Sequence, residues 1–164
     1  KPVIAAVNGM ACGGAFYMLG ETEFIIAAEH ATFFDPHVTY GMTASFEPIH
    51  MSGITPFPEI MRMSLMGNYE RVTAQRAYEI GMVPQVVPGD QLLEAARFCA
   101  EAIAAQPKLA IEGTVRALWG AREFGSRAAV RLGYAYVGLG TSDASIAEGQ
   151  KLFESGTRIE WRAR

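Results

Sequence analysis

Only two cysteines, Cys12 and Cys99, occur in the 164 residues, both among apolar neighbours. So sparse a set excludes a disulfide-stapled secreted scaffold and predicts reduced thiols in a packed core, as in a cytoplasmic protein. Long apolar runs are missing too. Stretches such as Pro2–Val7 and Phe24–Ala28 fall far short of the roughly 20 residues a membrane helix needs, so no membrane partner is expected. No basic segment leads into an apolar one, and nothing in the chain reads as a signal peptide. Blocks of like charge are absent. With 14 Lys and Arg against 17 Asp and Glu, the net charge is -3, which gives no nucleic-acid footprint. No His/Cys/Asp/Glu set has metal-ligand spacing, and neither a P-loop nor a dinucleotide fingerprint is present.

What is there suits a packed domain, for half of the residues are hydrophobic and 19% are charged. Pro2–Val7 reads as a buried strand, followed by the turn pair Asn8-Gly9 and by Gly13-Gly14 opening a short helix to Leu19. Phe24–Ala28 and Ala31–Phe34 read as two further strands, giving an α/β core. Residues 36–56 show no period. Beyond them the chain turns helical: Thr73 caps Ala74–Ile80, and Val83–Val87 is a brief strand. Leu92, Ala96, Cys99 and Ile103 then recur at helical spacing. Ile111, Val115, Leu118 and Arg122 trace another helix, and two weaker ones are predicted around Ala128–Leu139 and Ser145–Glu154. The expected division is an α/β part over 1–55 and a mainly helical region over 56–164. A strand apolar on both faces wants a neighbour on each side, so its place at residue 2 predicts that the chain is the visible part of a longer one.

Asn8-Gly9-Met10-Ala11-Cys12-Gly13-Gly14 joins a strand to a helix start, where backbone N–H groups lack intrahelical partners and favour negative charge. Glycine also lets a substrate come close to the backbone. Such a turn can stabilise the oxygen of a thioester enolate. It can equally be a tight connection that needs small residues for packing.

Residues 1–14, Lys-Pro-Val-Ile-Ala-Ala-Val-Asn-Gly-Met-Ala-Cys-Gly-Gly, closely resemble the signature stretch of the crotonase superfamily, the enoyl-CoA hydratases and isomerases. The similarity continues through Phe24–Ala28, Ala31–Phe33 and Thr73–Val83, and Glu148-Gly149 with Phe153 resembles the family's last helix. The resemblance implies the C-terminal portion of such a protein: the back part of a ββα spiral followed by a helical oligomerisation region. It implies an acyl-CoA substrate in fatty acid metabolism and no cofactor beyond the coenzyme A of that substrate. A homotrimer or hexamer would follow, with Tyr134, Tyr136 and Leu139 as candidates for burial between subunits. The family's second oxyanion donor maps onto Gly14, with Gly13 beside it as a substrate-binding residue.

The resemblance fails where it matters for chemistry. Family hydratases use two glutamates, and their positions hold Tyr17 and His37 here. Ordinary hydration by paired carboxylates is therefore doubtful. His37 can replace a carboxylate as acid or base, because imidazole titrates near neutrality. Asp35 can orient it if the intervening backbone is extended, which Pro36 favours. His37 can also be a polar loop or interface residue. Tyr17 can donate a hydrogen bond but is a poor base with a reference pKa of about 10, and it can simply fill a glutamate's space. Glu47 lies two residues beyond a position where some family members carry an acid, which makes it a further substrate-binding candidate; a solvated loop acid is the plainer reading. Two functions stay open: a lyase, isomerase or hydrolase working through an oxyanion-stabilised enolate, and a non-catalytic subunit that holds CoA thioesters.

Overall fold

The computed structural model describes residues 1–156, 159 and 161–163. Contacts divide the chain into two units, Pro2–Phe98 and a second formed by Cys99–Arg164 together with Lys1.

In the first unit, β1 (Ile4–Val7) is followed by β2 (Met10–Cys12), α1 (Ala15–Gly20), β3 (Phe24–Ala28) and β4 (Thr32–Phe34). A 3₁₀ turn over His37–Tyr40 leads to α2 (Phe46–Met51), α3 (Phe57–Met66), β5 (Val72–Thr73), α4 (Ala74–Glu79) and β6 (Gln85–Val87). Among the described residues the strands make two sheets. One is parallel with order β1-β3-β6, and the other pairs β2 with β4 in parallel and β4 with β5 antiparallel. The continuous apolar run of β3 is the signature of a strand covered on both faces, and Ile25, Ile26, Ala27 and Ala28 are each fully buried. β1 differs from its expected burial. It forms the edge of its sheet and is half-buried, with Ala6 exposed.

A core of Phe16, Ile25, Phe33, Met51, Met82 and Val83 locks α1 and α2 to the strands. Gly20, the last residue of α1, is what lets α2 come so near. A Cβ there would stand 2.6 Å from the Cβ of His50 and 2.7 Å from its carbonyl carbon, closer than atoms pack. The cap expected at Thr73 is present, its hydroxyl accepting from the backbone N–H of Arg76 at 3.1 Å.

The division between units falls within α5 (Leu92–Ala104). The second unit carries α6 (Lys108–Phe124), α7 (Ser126–Arg131), α8 (Gly133–Gly140) and α9 (Asp143–Glu154). The single helix expected around Ala128–Leu139 is two, because Leu132 leaves helical geometry at ψ 0° and a glycine, a weak helix former, follows it. α6 and α8 touch backbone to backbone at Gly113 and Gly140, where a Cβ on Gly113 would sit 2.6 Å from the Cα of Gly140. Tyr134 and Leu139 of α8 are exposed. Tyr136 turns inward, its hydroxyl against Gly120 of α6. Among the described residues no helix is long and apolar enough to cross a membrane. Both cysteines are free thiols and only half-buried, less enclosed than their apolar neighbours suggest.

Candidate active site

The site grows from the strand ends of the first unit. β2 ends at Cys12, and the chain turns through Gly13, whose φ of +48° is a left-handed conformation that glycine adopts without strain. Gly14 caps α1 and is exposed, and a Cβ added to it would meet nothing within 4 Å. The Phe16 amide donates to the Gly13 carbonyl at 2.8 Å and closes the first turn. A backbone surface is thereby left open at Gly14, on the side where α1 begins.

The paired strand β4 delivers the titratable groups. Its next residue, Asp35, is fully buried, and Pro36 and His37 turn away into the 3₁₀ segment. Asp35 Oδ1 accepts twice from His37: from the backbone N–H at 3.0 Å and from the ring Nδ1 at 2.5 Å. The first bond is a local Asp turn, the second fixes the ring and holds a proton on Nδ1. Asp35 Oδ2 is buried with no hydrogen-bonding side chain or backbone partner. The ring lies against the glycine turn: a Cβ on Gly13 would be 3.6 Å from His37 Cε1 and 3.5 Å from Pro36 Cδ. Its other nitrogen, Nε2, stands 3.4 Å from Glu47 Oε1.

The hydrogen bond from Asp35 raises the imidazole pKa above its ordinary value. Partial burial works against it, and the charges of Asp35 and Glu47 add to it. The fold therefore favours imidazolium. Its contribution to stability is fully present below the unfolded value of about 6.5 and is lost as pH rises through the higher folded value. Urea unfolding of wild type and His37→Gln from pH 6 to 9 is expected to show a wild-type advantage that shrinks as pH rises. An advantage that is flat or grows with pH would contradict this coupling.

Comparison with known proteins settles the kinship. The family model described as Enoyl-CoA hydratase/isomerase matches residues 1–161. The chain belongs to the enoyl-CoA hydratase/isomerase family. Its α/β fold is crotonase-like. A crystal structure of an enoyl-CoA hydratase/isomerase from Mycobacterium paratuberculosis superposes with a TM-score of 0.87 at 38% identity, covering 100% of this chain and 65% of that one. An enoyl-CoA hydratase from Mycobacterium tuberculosis H37Rv gives 0.85 at 29% identity, over 99% of this chain and 64% of that one. The carnitinyl-CoA dehydratase of Salmonella arizonae is 32% identical over 145 residues, 86% of this chain and 52% of that protein. The chain thus spans between about half and two thirds of the length of these relatives. A match running over residues 1–161 does not bear out the narrower assignment to a C-terminal portion.

Within this family member, the structure brings together most of the residues singled out from sequence. Gly13, Asp35, His37 and Glu47 form one contiguous cluster, with Gly14 next along the turn. Tyr17 projects from α1 with 40% of its surface exposed, its ring 5.4 Å from that of His50 at a tilt of 55°. Among the described residues, no hydrogen bond or ion pair joins it to Asp35, His37 or Glu47. His50 also meets Glu21 Oε1 through Nδ1 at 2.6 Å. Glu47 is the correction. Expected as a solvated loop acid, it sits in the first turn of α2 with 8% of its surface exposed, because Met51 one turn later anchors that face in the core. Ser45 before α2 and Pro48 within its first turn were a weak local signal for this helix start, and the Ser45 side chain makes no cap.

Proposed function

We propose that this chain carries the proton-transfer and oxyanion machinery of an enzyme that acts on acyl-CoA thioesters through an enolate, as a lyase or isomerase. In this reading the Gly14 N–H is an oxyanion donor, Gly13 lets the thioester approach, His37 moves the proton, and Asp35 orients and charges the imidazole. Tyr17 lines the pocket in the space of a family glutamate. No cofactor is called for, because coenzyme A arrives as part of the substrate. The observation that carries the proposal is the Asp35–His37 pair, joined at 2.5 Å and held against the glycine turn. An acid/base group beside a backbone that can hold negative charge is what α-proton chemistry on a thioester requires. The names of the relatives, enoyl-CoA hydratases and a carnitinyl-CoA dehydratase, support a hydration or dehydration direction. The replacement of both family glutamates favours a second reading, a subunit that binds CoA thioesters without turnover. A turnover screen of the full-length protein against enoyl- and hydroxyacyl-CoA esters of several chain lengths separates the two. Turnover lost in His37→Ala supports the enzyme; thioester binding without turnover in wild type supports the second reading.

A homotrimer or hexamer belongs to the same proposal, supported by the exposed apolar side chains of Val130, Tyr134, Val137 and Leu139 along α7 and α8. Light scattering of the full-length protein is expected to give a multiple of three subunits. A monomer at micromolar concentration would rule this out.

A further inference from the structure

We infer that Glu47 is a second catalytic proton-transferring group of this site, working as a pair with His37 and restoring with different residues the two-group chemistry that the missing glutamates would otherwise remove. The inference rests on the acyl-CoA reading above. Three observations carry it. Glu47 is nearly enclosed, at 8% exposure, whereas a carboxylate without a role normally stays in water. The imidazole of His37 faces it, with Nε2 at 3.4 Å from Oε1. That distance is attractive, yet longer than a strong charge-assisted hydrogen bond, so the Nε2–H is not committed to Glu47 and remains available to a substrate. The other charged group acting on the ring, Asp35, occupies Nδ1 and is fully buried. The pair that can face a substrate is therefore Nε2 of His37 and the carboxylate of Glu47.

Addition of water to a trans-2-enoyl thioester forms a C3–O bond and a C2–H bond and breaks one O–H bond. The Glu47 carboxylate, beside the imidazole, takes a proton from the attacking water as the water oxygen bonds to C3. The π electrons of C2=C3 move onto the thioester, whose oxygen is held at the Gly14 turn. The Nε2–H of His37 then delivers its proton to C2 as the enolate collapses. The site is left with neutral His37 and protonated Glu47, and one proton crossing the 3.4 Å contact restores the starting state. Atoms and charge balance without any other reactant. The split of roles follows from the contacts: Asp35 at Nδ1 holds the imidazole in its protonated form, so His37 donates, and the Glu47 carboxylate accepts the water proton.

The test compares two reactions in the full-length protein. Hydration is followed on short-, medium- and long-chain trans-2-enoyl-CoA esters and needs both groups. Exchange of the α-proton in deuterium oxide is followed on the matching saturated esters and needs only His37 and the oxyanion donor. Glu47→Gln is expected to lower hydration by about 10²-fold or more while exchange falls less than tenfold. The pH dependence of its exchange is expected to move down, because one of the two carboxylates that raise His37 has lost its charge. Glu47→Asp should recover part of the hydration, and it decides the matter if Glu47→Gln does not fold. Equal losses of hydration and exchange, or unchanged hydration, overturn the assignment of Glu47. A wild type that exchanges without hydrating also overturns it and leaves the enolate reading intact. A wild type that does neither overturns the enolate reading itself.

Discussion

His37→Ala is expected to lower kcat by about 10²–10⁴-fold while the KM for an acyl-CoA ester moves little. The asymmetry has a physical source. A proton in flight is bound only in the transition state, whereas most of the affinity for a CoA ester comes from parts of the molecule remote from the reacting carbons. Asp35→Asn should cost less. It removes the charge that holds the ring in one orientation and favours imidazolium, but the proton carrier remains. Tyr17→Phe should cost least, because the ring packs on His50 and no hydrogen bond among the described residues joins its hydroxyl to Asp35, His37 or Glu47. The rate profile offers an independent reading. The limb that reports His37 is expected above the ordinary imidazole value of about 6.5, since the hydrogen bond and charge of Asp35 both stabilise the protonated ring. An order of effects with Tyr17 essential and His37 dispensable would reverse the roles assigned here. Indifference to all three substitutions would favour a binding subunit.

The strongly patterned parts of the fold were legible in the sequence, and the site was legible only in pieces. β3 is a continuous apolar run, so its burial followed from composition. α5 and α6 announced themselves by helical spacing, and Thr73 by its place before a helix. β2 was missed because Met10-Ala11-Cys12 is too short to show alternation, and pairing with β4 rather than local preference makes it a strand. The edge position of β1 was equally invisible, since the same apolar residues suit a central strand. At the site, Asp35 and His37 stand two apart, and their pairing was legible, although a tight turn rather than the expected extended backbone makes it: Pro36 is helical at φ -84° and ψ -8°, and the His37 N–H bonds back to Asp35 Oδ1. Glu47 is ten residues from His37, across a stretch with no period, and its approach depends on α2 packing against α1 at Gly20. No pattern within residues 36–56 encodes that contact. It arises from the burial of Met51 and Phe16, which lie on different helices.

Phe16→Ala is expected to destabilise the full-length protein by about 3–5 kcal/mol, the range for deleting a buried aromatic ring and leaving a void. Phe16 has no exposed surface and packs in the core with Ile25, Phe33 and Met51. Its two successors on α1 make the contrast. Tyr17 is 40% exposed and Met18 70%, so Met18→Ala is expected to stay within about 0.5 kcal/mol of wild type although it is only two residues away. Urea unfolding followed by far-UV circular dichroism measures both, provided the slope with denaturant is unchanged. The substitution reaches the site as well. The Phe16 amide closes the turn onto the Gly13 carbonyl at 2.8 Å, and its ring holds the start of α1 to the strands. Loosening that ring frees Gly14 and, through Met51, the helix that carries Glu47. Below the unfolding transition, Phe16→Ala should therefore also lose turnover, whereas Met18→Ala should keep it. A Phe16→Ala protein destabilised by less than about 1 kcal/mol would mean that the core tolerates the void, and the Gly13-Gly14 turn would need another support.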